Sequence, residues 1–123
     1  SFDIRLAAVS PEFTVQIRQT PGAGTTTNGV TLEFKPDGTL SAGKKSLAAL
    51  ARNQWYAVRV VCALGSGEGY TLEIAPANDR KAVESHVLPL ADPKFTAVHR
   101  ILFYGNAAAA GTIYVDTIAW EIA

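Results

Sequence analysis

Hydrolysis of a glycosidic bond with retention asks for two carboxyls about 5–5.5 Å apart, a spacing that residues i and i+2 of one strand can supply. The acidic residues of the strand-like segments do not fall that way. Glu33, Glu73, Asp116 and Glu121 stand singly, and Asp116 and Glu121 are an odd number of residues apart, so they point to opposite faces. Nucleophilic catalysis fares no better. It needs a serine activated by a histidine, and no G-x-S-x-G or comparable turn occurs. His86 and His99, with Arg59, Tyr56 and Gln54, are the residue types an eliminating lyase would gather on one sheet face, but half-exposed surface histidines are the expected reading. The expectation is a chain that is not an enzyme.

Binding is better supplied. Trp55, Tyr56, Tyr70, Tyr104, Tyr114 and Trp120 offer flat rings for stacking on sugars, which also require polar groups beside the ring. Trp55 alternates onto the same face as Arg59 and is the best of them; core packing is its competing role. Arg59 and Glu73 also fit a cross-strand ion pair on a solvent face. Trp120 is expected to pack a core edge. The candidate ligand-binding set is therefore Trp55, Arg59, Glu73 and Tyr70. Asp116 interrupts an apolar face between Tyr114 and Ile118. If buried, its carboxylate must be hydrogen-bonded, ion-paired or metal-bound. Hydrogen bonding or an ion pair comes first, then calcium, which makes Asp116 the candidate metal ligand.

The elements that would position these residues centre on Gln54–Ile74. Tyr56, Val58, Val60 and Cys62 share one face, and Trp55, Ala57, Arg59 and Val61 the other. A turn with Gly65, Gly67 and Gly69 leads into Tyr70, Leu72 and Ile74, which alternate with Thr71 and Glu73. Period-2 alternation predicts a hairpin. Before it, Phe2–Leu6, Phe13–Arg18 and Val30–Phe34 alternate likewise, and Pro36-Asp37-Gly38 is a turn into a short strand at Thr39-Leu40. A loop is expected over Thr20–Gly29. Lys44–Asn53 reads equally as a helical turn or as an extended connection. After the hairpin, strands are expected over Lys81–Leu88, Val98–Tyr104 and Thr112–Ile122, the last two joined through Gly105, Asn106, four alanines and Gly111. The total is about nine short strands separated by turns, which predicts an all-β antiparallel β-sandwich of jelly-roll type in a single domain covering 1–123.

Composition narrows the partners. Eleven Lys plus Arg balance eleven Asp plus Glu, so no net field attracts phosphate backbones or anionic lipid. Nucleic acid is not expected, and no apolar run reaches the roughly 20 residues of a helical membrane span. Cys62, the single cysteine, has no internal partner and shares a face with apolar residues, so a buried, inert thiol is expected. The first residues already alternate as a strand, which suggests a segment that belongs to a longer parent.

The order of Pro36-Asp37-Gly38-Thr39-Leu40, then Leu47–Leu50, then Gln54-Trp55-Tyr56 with Val58-Arg59-Val60, then Tyr70–Ile74, and finally Ile113-Tyr114-Val115-Asp116-Thr117-Ile118 with Trp120 resembles the concanavalin A-like lectin/glucanase superfamily, nearest its laminin-G-like modules. The resemblance covers about Phe2–Ile122 and implies a module short at its N-terminal side, whose exposed sheet edge would invite self-association. Catalytic members carry an E-x-D-x-x-E strand that this chain lacks. The resemblance therefore implies a non-catalytic carbohydrate-binding or accessory module of an exported carbohydrate-active or cell-surface protein, extracellular or periplasmic. Its partner would be a glycan or a neighbouring domain, with no cofactor required and calcium as an option. The alternatives are a structural or protein-interaction module that braces a neighbouring domain, and a trimmed glycosidase or lyase.

Overall fold

A computed structural model describes residues 1–20, 25–105 and 110–121. Among these the chain is all β, with ten strands: β1 (Phe2–Leu6), β2 (Phe13–Gln19), β3 (Thr27–Phe34), β4 (Thr39–Ala42), β5 (Lys45–Ala49), β6 (Trp55–Cys62), β7 (Tyr70–Pro76), β8 (Glu84–Leu88), β9 (Arg100–Gly105) and β10 (Ile113–Asp116). They form two antiparallel five-stranded sheets. The front sheet has the order β10-β1-β6-β7-β8 and the back sheet β5-β4-β3-β2-β9. This is the arrangement of a β-sandwich.

Alternation sends one apolar set from each sheet into a shared core. Phe2, Ile4, Leu6, Val58, Tyr70, Leu72 and Ile74 come from the front, and Phe13, Val15, Val30, Leu32, Phe34 and Leu40 from the back. Phe2 bridges the layers, meeting Phe34 and Phe103 edge-on with ring centres 6.4 and 5.3 Å apart. Edge-to-face contact puts a positive ring edge on a negative ring face, and it adds about 0.5–1.5 kcal/mol per pair beyond the area buried. Phe95, from the segment between β8 and β9, is buried apart from this shared core. Its ring lies on Gly29, where a Cβ would overlap it.

Several expectations are met. The Pro36-Asp37-Gly38 turn is closed by the Asp37 carboxylate, which accepts the Thr39 N–H at 2.9 Å. The β6–β7 hairpin pairs from Tyr56 with Pro76 to Cys62 with Tyr70, and Gly65, Gly67 and Gly69 all take positive φ in its turn.

Others are corrected. Lys44–Asn53 forms no helical turn; β5 runs through it as an edge strand on β4, because Leu47 completes the core face of the back sheet. The strand expected over Lys81–Leu88 begins at Glu84, and β3 begins at Thr27, inside the expected loop. Residues 21–24 of that loop and 106–109 of the β9–β10 connection lie outside the described residues. The strand expected over Thr112–Ile122 stops at Asp116. Thr117 has φ 52°, and beyond it Ser1 and Ala119 exchange both backbone hydrogen bonds, at 2.7 and 2.9 Å. Between the Asp3–Asp116 and Ser1–Ala119 pairs one strand advances two residues and the other three, so Thr117 marks a β-bulge. Trp120 then lies past the core and is 65% exposed rather than packed at its edge. Cys62 is half-buried, its thiol directed at the Gly69 carbonyl, and burial pushes its pKa up.

Candidate functional site

The outward face of the front sheet carries the chemistry. Residues directly opposite on paired strands share a face, so register converts the sequence into rows across the sheet. Arg5 stands opposite both Tyr114 and Trp55, which gives a first row Tyr114–Arg5–Trp55. Asp3 stands opposite both Asp116 and Ala57, and Ala57 opposite Ala75, which gives a second row. Arg59, Glu73 and Ser85 form a third.

The first row is a stack. The Arg5 guanidinium carbon lies 4.3 Å from the Tyr114 ring centre and 5.5 Å from that of Trp55, and the two rings are 6.5 Å apart at 56°. The buried Nε of Arg5 has no hydrogen-bond partner among the described residues, so ring faces are its contacts. A guanidinium is flat and weakly hydrated, and it tolerates this exchange better than an ammonium would. The stack holds Trp55 half-exposed on the outer surface.

The second row brings two carboxylates face to face. Asp3 and Asp116 occupy one cross-strand pair, and neither forms an ion pair among the described residues. Asp116 is exposed rather than buried. One of its oxygens, Oδ1, accepts the Thr117 N–H at 2.8 Å. Its apolar strand neighbours were misleading because Tyr114 also faces solvent on this side. With Trp55, Asn53, Gln54, Ala77 and Asn78, the two aspartates line an open cleft of about 680 Å³.

Backbone strain gathers here too. Asn53 and Thr117 are the two non-glycine residues with positive φ among those described, at 59° and 52°. Asn53 lines the cleft, and Thr117 directly follows Asp116, which also lines it. A β-branched residue in the left-handed region is costly, and such costs persist where neighbouring structure holds them in place. Here the Asn53 N–H to Leu6 carbonyl bond of 2.7 Å and the Ser1–Ala119 pair do so.

The expected ligand set is only partly gathered. Trp55, Arg59 and Glu73 share the outer face, and Arg59 pairs with Glu73 at 3.6 Å across β6 and β7, as the alternative reading expected. Tyr70 lies on the opposite face, 5% exposed in the core, and takes no part in this surface. Asp3 and Arg5 were missed. Their alternation with Phe2, Ile4 and Leu6 marked them as outward-facing, but their partners come from the far end of the chain.

As a metal set the cleft is thin. Among the described residues no group of three or more His, Cys, Asp or Glu comes together, and Ca²⁺ takes six to eight oxygens, more than two carboxylates fill. Neither aspartate is in the core. What the arrangement offers is a flat indole beside outward carboxylate and amide groups. His99 is committed elsewhere, its Nδ1 accepting the Thr20 N–H at 2.8 Å. His86 lies near Glu84 on the edge strand, so the two histidines do not converge on the cleft.

Comparison of the chain with protein-family models, curated proteins and solved structures gives no significant match in any of the three.

Proposed function

We propose that the chain is a non-catalytic carbohydrate-binding module, a sandwich of concanavalin A-like type from an exported protein, and that it takes glycan on the outer face of the front sheet. One observation carries this reading: Trp55 stands at an open cleft beside Asp3 and Asp116, whose carboxylates have no ion pair among the described residues. A pyranose presents an apolar C–H face and a rim of hydroxyls. The indole suits the face, while the carboxylates and the amides of Asn53, Gln54 and Asn78 suit the rim. The cleft is open to solvent, so such binding would be weak and readily reversible.

The test is a glycan array followed by isothermal titration of the purified protein, with and without calcium, and with Trp55→Ala as the control. Binding should fall at least about tenfold in the variant, equivalent to about 1.4 kcal/mol. A well-folded protein that binds no glycan overturns the reading.

A second reading has an observation of its own. Ile118 and Trp120 are 56% and 65% exposed just past β10, which is the apolar patch that a module bracing a neighbouring domain would present. Double substitution Ile118→Ser with Trp120→Ser would leave glycan binding intact and abolish interdomain docking if this reading holds.

A further inference from the structure

The Trp55 cleft is not the end of the depression in this face. A second hollow of about 360 Å³ adjoins it, and Asp3 lines both. The second hollow crosses β6 and β7 at Ala57 and Ala75 and is walled by the Arg59–Glu73 ion pair, with Arg80 and Val83 at its far end. Register explains the continuity: Asp116, Asp3, Ala57 and Ala75 are successive cross-strand partners, and the first hollow reaches from this row to Trp55 and Ala77 while the second reaches from it to Arg59 and Glu73, so the two lie side by side along β6 and β7. From Trp55 to Arg59 the strand rises about 3.3 Å per residue, so the two hollows together span about 13 Å, beyond the reach of one sugar ring. Trp55 of the Tyr114–Arg5–Trp55 stack lines the first hollow, and the Arg59–Glu73 pair walls the second.

We infer that the second hollow is a further subsite, and that the ligand is a glycan chain of several units lying along β6 and β7 rather than a single terminal sugar. This rests on the carbohydrate-binding reading above. The chain stacks one unit on Trp55 and bonds its hydroxyls to Asp3 and Asp116. Following units pass over Ala57 and Ala75, where the floor is low, and meet the Arg59, Glu73 and Arg80 side chains, which supply both donors and acceptors. Affinity therefore grows with chain length until both hollows are filled, then stops growing.

The experiment titrates the protein with neutral, amino and uronic oligosaccharides of graded length, from mono- to hexasaccharide. It then repeats the series with Ala75→Leu, which raises the floor, and with Arg80→Ala, an exposed change that spares the fold. Expected is a gain of about tenfold or more from monosaccharide to tetrasaccharide in the parent protein, and loss of most of that gain in both variants. Binding that needs Trp55 but is indifferent to length, or to both substitutions, overturns the subsite and leaves the Trp55 cleft standing. Absence of binding to every sugar overturns both.

Discussion

The guanidinium carbon of Arg5 lies 4.3 Å from the centre of the Tyr114 ring. The two residues sit directly opposite one another on β1 and β10, and Arg5 is flanked on its other side by Trp55 of β6. Three strands drawn from the beginning, middle and end of the chain are thus stitched on their outer face by one cation between two rings.

Removing that cation should be felt in stability. Each cation–π contact at a partly exposed site contributes about 0.5–1 kcal/mol, so Arg5→Ala should cost about 1–2 kcal/mol in urea unfolding. Arg5→Lys should recover only part of this, because an ammonium cannot lie flat against two rings. Tryptophan fluorescence would report the altered setting of Trp55. Full rescue by lysine would show that charge, not stacking, matters.

Asp3 and Asp116 make the opposite prediction. Like charges directly across a strand pair repel, and such pairs cost about 0.2–1 kcal/mol. Asp116→Asn keeps the Oδ1 that accepts the Thr117 N–H and removes the repulsion. The variant should be more stable by about that amount at low salt, with the advantage fading at high salt as screening shortens the interaction. The same variant should weaken glycan binding, a split that denaturation and titration would read separately. A salt-independent loss of stability would contradict it.

Tyr70 gives a pH dependence. Burial pushes its phenol up from 10.0 to about 12, since the phenolate is poorly solvated in the core. Between those values the unfolded chain has released the proton and the folded chain holds it. Stability from this group is therefore fully present below pH 10 and falls as pH rises toward 12. Cys62, also raised by burial, adds a slope of the same sign that starts near its ordinary 9.0. Tyr70→Phe should flatten the fall between pH 10 and 12 in denaturant midpoints measured across that range, leaving the cysteine contribution.

Gly69 closes the β6–β7 hairpin at φ 94°, and a Cβ there would run into the Leu88 carbonyl of the neighbouring strand. Gly69→Ala must bear both the left-handed backbone and the backbone clash, and should cost about 2–4 kcal/mol. Gly67→Ala, at φ 71° with open space around it, should cost about 1–2 kcal/mol. Thermal unfolding of the pair separates the steric contribution from the conformational one.

Much of this fold is legible in local pattern. The alternation of Tyr56, Val58 and Val60 with Trp55, Ala57 and Arg59 divides β6 into two faces at a period of two, while leaving open which of them Trp55's neighbours would cover. The same rule marks Phe2, Ile4 and Leu6 as inward, and Asp3 and Arg5 as outward. The Pro36-Asp37-Gly38 turn and the glycine-rich hairpin follow from backbone angles that few residues adopt.

Where pattern is weak, neighbours decided. Lys45–Ala49 has a composition that suits helix or strand, and the unpaired edge of β4 made it a strand. Thr112–Ile122 alternates as one long strand, yet the bulge at Thr117 ends β10 and leaves Trp120 in solvent. The site is the clearest case. Asp3 and Asp116 are separated by nearly the whole chain, and the stack of Arg5 depends on β10 and β6 flanking β1. By itself the sequence determined how each strand divides into two alternating sets, because side-chain alternation is a local property of extended backbone. Which set of a strand such as β7 or β10 faced the core, and which outward residues became neighbours, was decided only by tertiary structure, because strand order and register arise from packing one sheet against the other.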